Sequence, residues 1–404
     1  MSAHSILSPS GAAGWMHCYA QPCMCKDLEQ EESPYAAEGT LAHALAAYCL
    51  KTDCDADCDA EGVMAVDVSE DGDEDLRLVP ADMYEPVQVY VDTVRNMTLG
   101  KVEIGFERTL DTSDVLRVAN QKGTADVCAI LPCEDTYELQ IHDLKYGKGI
   151  RVSAELNEQL MIYALAAVNE FEILYDISQV RLVIHQPRLG AVSEWVCPID
   201  ELTEFGNQVR AAAARCMALY EGRMDLTDDC FSPGDKTCRW CRAKGFCKAL
   251  ADHVLEGVRG DFSSIKDATS AIPGMENAEL TKRLRMVETI KIYTKALEST
   301  ALSRALSGQV MPGMKIVEGR KGNRSWKDER EAMEMLKGMR LKKNVMFKTV
   351  LQTPTEMLKV LKNQPRRLKR LSELIVRRDA VKHLVPLEDD RPAVVIGEVR
   401  DDFE

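Results

Sequence analysis

The stretch TYELQIHDLKYGKG at 136–149 narrows the folds open to this chain more than any other, because an apolar, strand-like run ends in an acid and a base two positions apart. Side chains on an extended chain alternate between faces, so Asp143 and Lys145 share a face with Tyr137, Leu139 and Ile141. A carboxylate and an amine therefore leave the strand end together. Gly147 and Gly149 follow, which suits a loop that lets a ligand come close to the backbone. Alone, such a pair is more often a plain ion pair at a strand terminus, and its meaning depends on what the flanking segments place around it.

Those segments predict an α/β fold. KVEIGFERTL and KGTADVCAILP read as two strands before it; SAELNEQLMIYALAAVNE reads as a helix after it, followed by a strand, QVRLVIHQPR, and a helix, IDELTEFGNQVRAAAARCMALYEG. Further upstream, SPYAAEGTLAHALAAYCLK reads as a helix with Ser33 as N-cap and Pro34 at the first helical position, and EPVQVYVDTVRNM as a second. The succession predicts a central mixed sheet flanked by helices. At 404 residues the chain has room for more, and it divides into a core over 1–229, a cysteine element over 230–260 and a mainly helical, basic region with an acidic tail over 261–404. In the last, Leu280, Leu284, Val287, Ile290 and Leu297 form one apolar stripe at helical spacing.

The polar residues inside this pattern carry the chemistry. Asp126 lies in a strand of small and apolar residues, where an unpaired carboxylate is expensive to bury. Two aspartates on adjacent strands, with a lysine beside the second, favour a divalent cation. Gln159 and Tyr163 are four apart on a helix and share a face, and His43 falls on the small-residue face of its helix between Gly39 and Ala47. Each of these three, taken singly, is more often an ordinary core or surface residue.

In their order, GTLAH (Gly39 to His43), GTAD (ending in Asp126), DLK (Asp143 to Lys145) and QLMIY (Gln159 to Tyr163) resemble the motifs of RecB-like nucleases of the PD-(D/E)XK, or restriction-endonuclease-like, superfamily. SPYAAEGTLAHALA, LSGQVMPGMKIVEGRKGNRSW and LVPLEDDRPAV are similar to a phage and prophage group of such enzymes, so the resemblance spans nearly the whole chain; Asp143 stands where many relatives have glutamate. The resemblance implies a PD-(D/E)XK nuclease core in which His43, Asp126, Asp143 and the Leu144 carbonyl hold Mg²⁺ or Mn²⁺. Lys145 would orient or help deprotonate the attacking water, and Gln159 and Tyr163 would position the site or touch the DNA backbone. No role follows for Glu38. It further implies a DNA exonuclease that resects linear duplex ends in phage recombination or replication, with a single-strand annealing or single-strand-binding protein as partner. An endonuclease or CRISPR-adaptation-like nuclease, a non-catalytic DNA-binding protein with a nuclease fold, and a structural protein stapled by its cysteines are the alternatives.

Cys238, Cys241 and Cys247 form C-x2-C-x5-C, a spacing that can wrap three thiolates around one centre, and no cysteine follows them. The resemblance implies that a distant upstream cysteine completes a [4Fe-4S] cluster of structural role: Cys18, with Cys23 and Cys25 as substitutes. Four thiolates would equally hold Zn²⁺. Clustered cysteines, the lack of a basic-then-apolar leader and the lack of any run long enough to span a bilayer lead us to expect a cytoplasmic protein without a membrane partner. The acidic run near 57–68 fails as a calcium loop because Val68 stands where the bidentate glutamate belongs, and no P-loop occurs. Charge is divided: the chain carries −14 overall, yet 315–382 holds 20 Lys and Arg against 8 Asp and Glu. Arg320, Lys321 and Arg324, in a glycine-containing turn before Trp326, are the expected duplex contact; Arg366, Arg367, Lys369 and Arg370 at a later helix start are equally a solvated face or a second contact.

Overall fold

The structure is a computed structural model that describes residues 5–28, 34–56, 65–68, 76–258, 275–318, 324–327, 329–346, 354–362, 364–377 and 382–386. Ser33, Arg320, Lys321 and most of the acidic run lie outside these residues. The chain forms two compact units, Met1–Tyr293 and Thr294–Glu404.

The first unit is built on a five-stranded mixed sheet. After a small ribbon, β1 (Ala65–Asp67) with β2 (Leu76–Leu78), come β3 (Glu103–Asp111), β4 (Lys122–Cys133), β5 (Thr136–Leu144), β6 (Ile177–Gln186) and β7 (Ala191–Pro198), which lie side by side in chain order. All neighbours run antiparallel except β5 and β6, which are parallel. That one parallel pair requires a crossover, and the helix between the two strands supplies it.

Helices cover both faces. On one side lie α1 (Pro34–Thr52) and α2 (Ala81–Met97), whose Leu45, Cys49, Val87 and Val91 bury against Val127 and Leu144. On the other lie α3 (Glu158–Phe171) and α4 (Ile199–Tyr220), whose Leu160, Ile162, Val209 and Ala213 meet Cys128, Ile130, Leu139 and Ile141. The α3 start falls at Glu158, five residues inside the run that sequence alone reads as helical, because the Asn157 side chain accepts the Leu160 N–H and caps it there. β7 was not legible in the sequence: Val192 and Val196 lie on its exposed face while Ser193 is on the less exposed one, so no polar–apolar alternation marks it. It closes the sheet edge against β6 through eight paired positions.

β5 departs from its sequence pattern. The alternation of Glu138, Gln140 and His142 with apolar residues reads as a half-solvated strand, yet all three are at most 6 % exposed. They satisfy one another instead. Gln140 donates to Glu138 at 2.7 Å, the His142 ring lies 3.0 Å from both Gln140 Oε1 and His185 Nε2, and Arg181 reaches both Glu138 oxygens at 3.0 Å.

Further along are α5 (Lys248–Val258) and the thirty-residue α6 (Asn277–Leu306). The apolar stripe expected on α6 is not a continuous core seam: Leu284, Val287 and Leu297 are exposed, Ile290 packs against the cluster of Cys238, Leu250 and Val254, and the buried positions are Thr289, Ala296 and Ala305. A long charged helix can show apolar spacing without a partner for that face. The second unit carries strands beside its helices. It holds two antiparallel ribbons, β8 (Met314–Glu318) with β11 (Lys382–Pro386) and β9 (Arg324–Trp326) with β10 (Ile375–Arg377). With α7 (Glu329–Gly338), α8 (Pro354–Val360) and α9 (Pro365–Ser372), it has a core of its own around Trp326, Leu336, Met339, Met357, Leu361 and Leu371. Among the described residues no helix is long and apolar enough to cross a membrane.

Candidate metal centre

The site is assembled at the end of the sheet where β4 and β5 run out together. β4 supplies Asp126 and β5 supplies Asp143, followed by Lys145. Asp126 is held at both oxygens: Oδ1 lies 3.0 Å from His43 Nδ1 on α1, and Oδ2 accepts the Leu144 N–H at 2.6 Å. Lys145 Nζ sits 3.0 Å from Asp143 Oδ1 and 2.8 Å from Oδ2. It donates onward to Gln159 Oε1 at 3.0 Å. Gln159 in turn donates from Nε2 to Asp143 Oδ1 at 3.2 Å and to the Tyr163 hydroxyl at 3.3 Å. The i, i+4 spacing on α3 thus brings Gln159 and Tyr163 into one chain of contacts with the strand-end pair.

Gly123 on β4 makes room for this arrangement, since a Cβ there would come within 2.7 Å of both the Tyr163 ring and Pro9. Glu38 pairs with Arg188 at 2.8 Å and Arg188 stacks over the Tyr146 ring, a contact that ties the start of α1 to the loop after Lys145.

One residue escaped the sequence reading. Glu107 on β3 lies with His43 and Asp126 in a group whose ligand atoms are all within 4.8 Å of one another. The register passes from Phe106↔Val127 to Arg108↔Ala125, leaving Glu107 facing Asp126 across the pair. Its φ of 48° is left-handed, which is costly for a residue with a Cβ and is found where surroundings enforce it. No sequence signal announces that conformation: KVEIGFERTL is an ordinary strand on paper.

The electrostatics match a cation site. Burial pulls the His43 pKa down, but the Asp126 carboxylate and its hydrogen bond outweigh it and push the pKa up to about 9. Burial, reinforced by Asp126, pushes Glu107 up to about 7. Burial raises Asp143 despite the ammonium beside it, whereas Asp126 is lowered, its burial outweighed by His43 and the Leu144 amide. Lys145 is held above its ordinary value because Asp143 overcomes the cost of burying the ammonium, so it stays charged. Asp143 Oδ2 is buried, with the Lys145 ammonium 2.8 Å away across the ion pair. The Glu107 and Asp126 carboxylates with the His43 imidazole form a donor set able to hold a divalent metal ion.

The cysteines gather elsewhere in the first unit. Cys25 Sγ lies 3.9 Å from Cys241 Sγ, and that contact pulls the Cys25 thiol down to about 6. Cys18 is raised by burial, with Cys238 and Cys247 close enough to add to the effect. Of the three upstream candidates, Cys18 reaches the C-x2-C-x5-C element on the side of Cys238 and Cys247 and Cys25 on the side of Cys241, while Cys23 packs against Ala20, Leu219 and Cys230. Tetrahedral zinc at about 2.3 Å from each sulfur needs sulfurs about 3.8 Å apart. The Cys25–Cys241 separation matches that spacing, while among the described residues no three thiols have their sulfurs within 4.8 Å of one another. Of the expected duplex contacts only Arg324 is described, half-buried on β9.

Comparison with known proteins gives a match to one family model, described as "Protein of unknown function (DUF2800)", over residues 4–392. Among solved structures, the one described as "Crystal structure of SSO0001" is 17 % identical to this chain over 42 % of it and 72 % of that chain, with a TM-score of 0.23, a likeness too slight to carry an argument.

Proposed function

The chain belongs to the DUF2800 family, whose description carries no activity, and from its site we propose that it is a metal-dependent deoxyribonuclease with a PD-(D/E)XK core, acting as an exonuclease on linear duplex ends. The observation that supports this best is the convergence of His43, Glu107 and Asp126 with the Asp143–Lys145–Gln159 chain at one sheet end. A bound Mg²⁺ or Mn²⁺ would lower the pKa of its water and offset charge on the scissile phosphate. Asp126, Asp143, His43, Glu107 and the Leu144 carbonyl are the residues that would hold it. Lys145, kept cationic by Asp143, is suited to donate to a phosphate oxygen or to the attacking water and unsuited to act as a base. Gln159 fixes the ammonium and Asp143 relative to each other, and Tyr163 fixes Gln159.

Hydrolysis adds the water oxygen to phosphorus and breaks one phosphorus–oxygen ester bond, and the departing sugar oxygen takes a proton. A [4Fe-4S] cluster held by Cys18, Cys238, Cys241 and Cys247 would serve to pin the N-terminal segment to the cysteine element. Incubation with linear and covalently closed duplex, with and without Mg²⁺, tests the reading. We expect progressive loss of linear DNA only, abolished by Asp143→Asn. Efficient cutting of closed circles would make it an endonuclease, and no metal-dependent cleavage of any DNA would leave the site a binding centre.

A further inference from the structure

The second unit carries a surface that the proposed chemistry does not use. In α9, Leu368 and Leu371 face inward with Leu374 just beyond, while Arg366, Arg367, Lys369 and Arg370 are exposed. Among the described residues none of these four has an acidic partner; Arg367 makes one hydrogen bond, to the Gln364 amide at 2.6 Å. Four cations within about one turn repel each other. Arg366 and Arg367 sit in the first turn, where the helix dipole disfavours positive charge, and the N-cap offers no side-chain hydrogen bond to offset it, while Lys369 and Arg370 sit in the last turn, where the dipole favours them. For the first pair, folding gains nothing from the placement. The neighbouring ribbon repeats the theme: the β9–β10 register sets Arg377 opposite Arg324, and Lys327, exposed, follows β9 directly. Between 354 and 377 there are seven Lys and Arg against two Glu, in a chain whose net charge is −14, so the patch is not a by-product of a basic protein.

We propose that the exposed face of α9, with Arg366, Arg367, Lys369 and Arg370, is a duplex-DNA grip that binds the phosphate backbone without reading sequence. Clustered guanidinium and ammonium groups bind phosphates by releasing condensed counterions, and the placement of Arg366 and Arg367 at the positive end of a helix adds to that attraction. The choice of DNA over other polyanions rests on the proposed function; affinity for a phosphate backbone does not. The grip would hold a duplex independently of the metal centre.

The test uses the full chain in EDTA, so that nothing is cleaved, and reads fluorescence anisotropy of a labelled 25-base-pair duplex across a salt series. The variant is Arg366→Gln/Arg367→Gln/Lys369→Gln/Arg370→Gln. We expect at least about tenfold weaker binding at moderate salt and a log-affinity against log-salt slope flatter by about 3 to 4, as loss of four phosphate contacts requires. Mn²⁺ affinity and the circular dichroism spectrum stay unchanged, which excludes misfolding. An unchanged affinity and slope overturn the proposal, as does polyglutamate competing as well as DNA, which would make the face a dock for an acidic protein. If no DNA is cleaved under any metal condition but the variant still loses affinity, the nuclease reading fails and the grip stands.

Discussion

His43 and Glu107 set the terms on which the centre can take a cation. With His43 at about 9 and Glu107 at about 7, both carry protons at neutral or lower pH, and a metal ion must displace them. Below pH 7 binding releases two protons and between 7 and 9 one. We therefore expect Mn²⁺ affinity to rise with pH, the slope of log affinity falling from about 2 below pH 7 to about 1 above it; isothermal titration in buffers of differing protonation enthalpy measures this directly. A flat profile would remove His43 and Glu107 from the ligand set. The backbone at Glu107 offers a separate check. Glu107→Ala and Glu107→Gly both delete the carboxylate, but only glycine relieves the left-handed strain, so the glycine variant should be more stable by about 1 kcal/mol in urea unfolding while both lose metal affinity. Lys145→Ala should cost on the order of 10²-fold in cleavage rate with folding intact.

Among the elements, β4 and β5 carry the most consequence. Gly123→Ala forces either Pro9 or the Tyr163 ring aside, and we expect a loss of about 1–3 kcal/mol in denaturant unfolding together with weaker cleavage, because Tyr163 anchors Gln159. β5 and β6 also hold the buried pair His142 and His185, whose pKa values burial pushes down, for His185 to about 4. The unfolded chain binds these protons near 6.5, so between about 6.5 and 4 it binds more protons than the native state, and stability falls as pH drops through that window. His185→Gln should flatten that part of the stability profile. These elements also show what a sequence makes legible. β3 to β6 announce themselves through turn residues and β-branched runs, and His43, Gln159 and Tyr163 through helical spacing. Glu107 does not, because its position depends on a backbone conformation, and the α6 stripe misleads because periodicity marks a face without saying what covers it.

For the whole molecule, the cysteine group joins the N-terminal segment to residues more than two hundred positions away. A bond network across so long a loop restricts the unfolded chain strongly. If the group holds an iron-sulfur cluster, protein purified without oxygen is brown, and Cys238→Ser bleaches it and lowers its melting temperature. Iron content of the Cys18→Ser and Cys25→Ser variants decides which upstream thiol is the ligand: loss in the first alone selects Cys18, loss in the second alone selects Cys25. Stoichiometric zinc without iron would reassign the group to zinc.

The ion pair between His43 and Asp126 has a bearing on how such a protein is made. A protonated imidazole and an ammonium already supply, inside the cleft, positive charge that an ion would otherwise bring, so the carboxylates do not need a cation in order to pack. The fold therefore has these charges paired without a divalent cation, and if the centre takes one, prolonged chelation should leave the chain folded and lower its melting temperature by no more than the loss of the ion's own binding free energy. On the nuclease reading, supply of the ion would act as a licence granted after folding, and scarcity of the ion as its withdrawal.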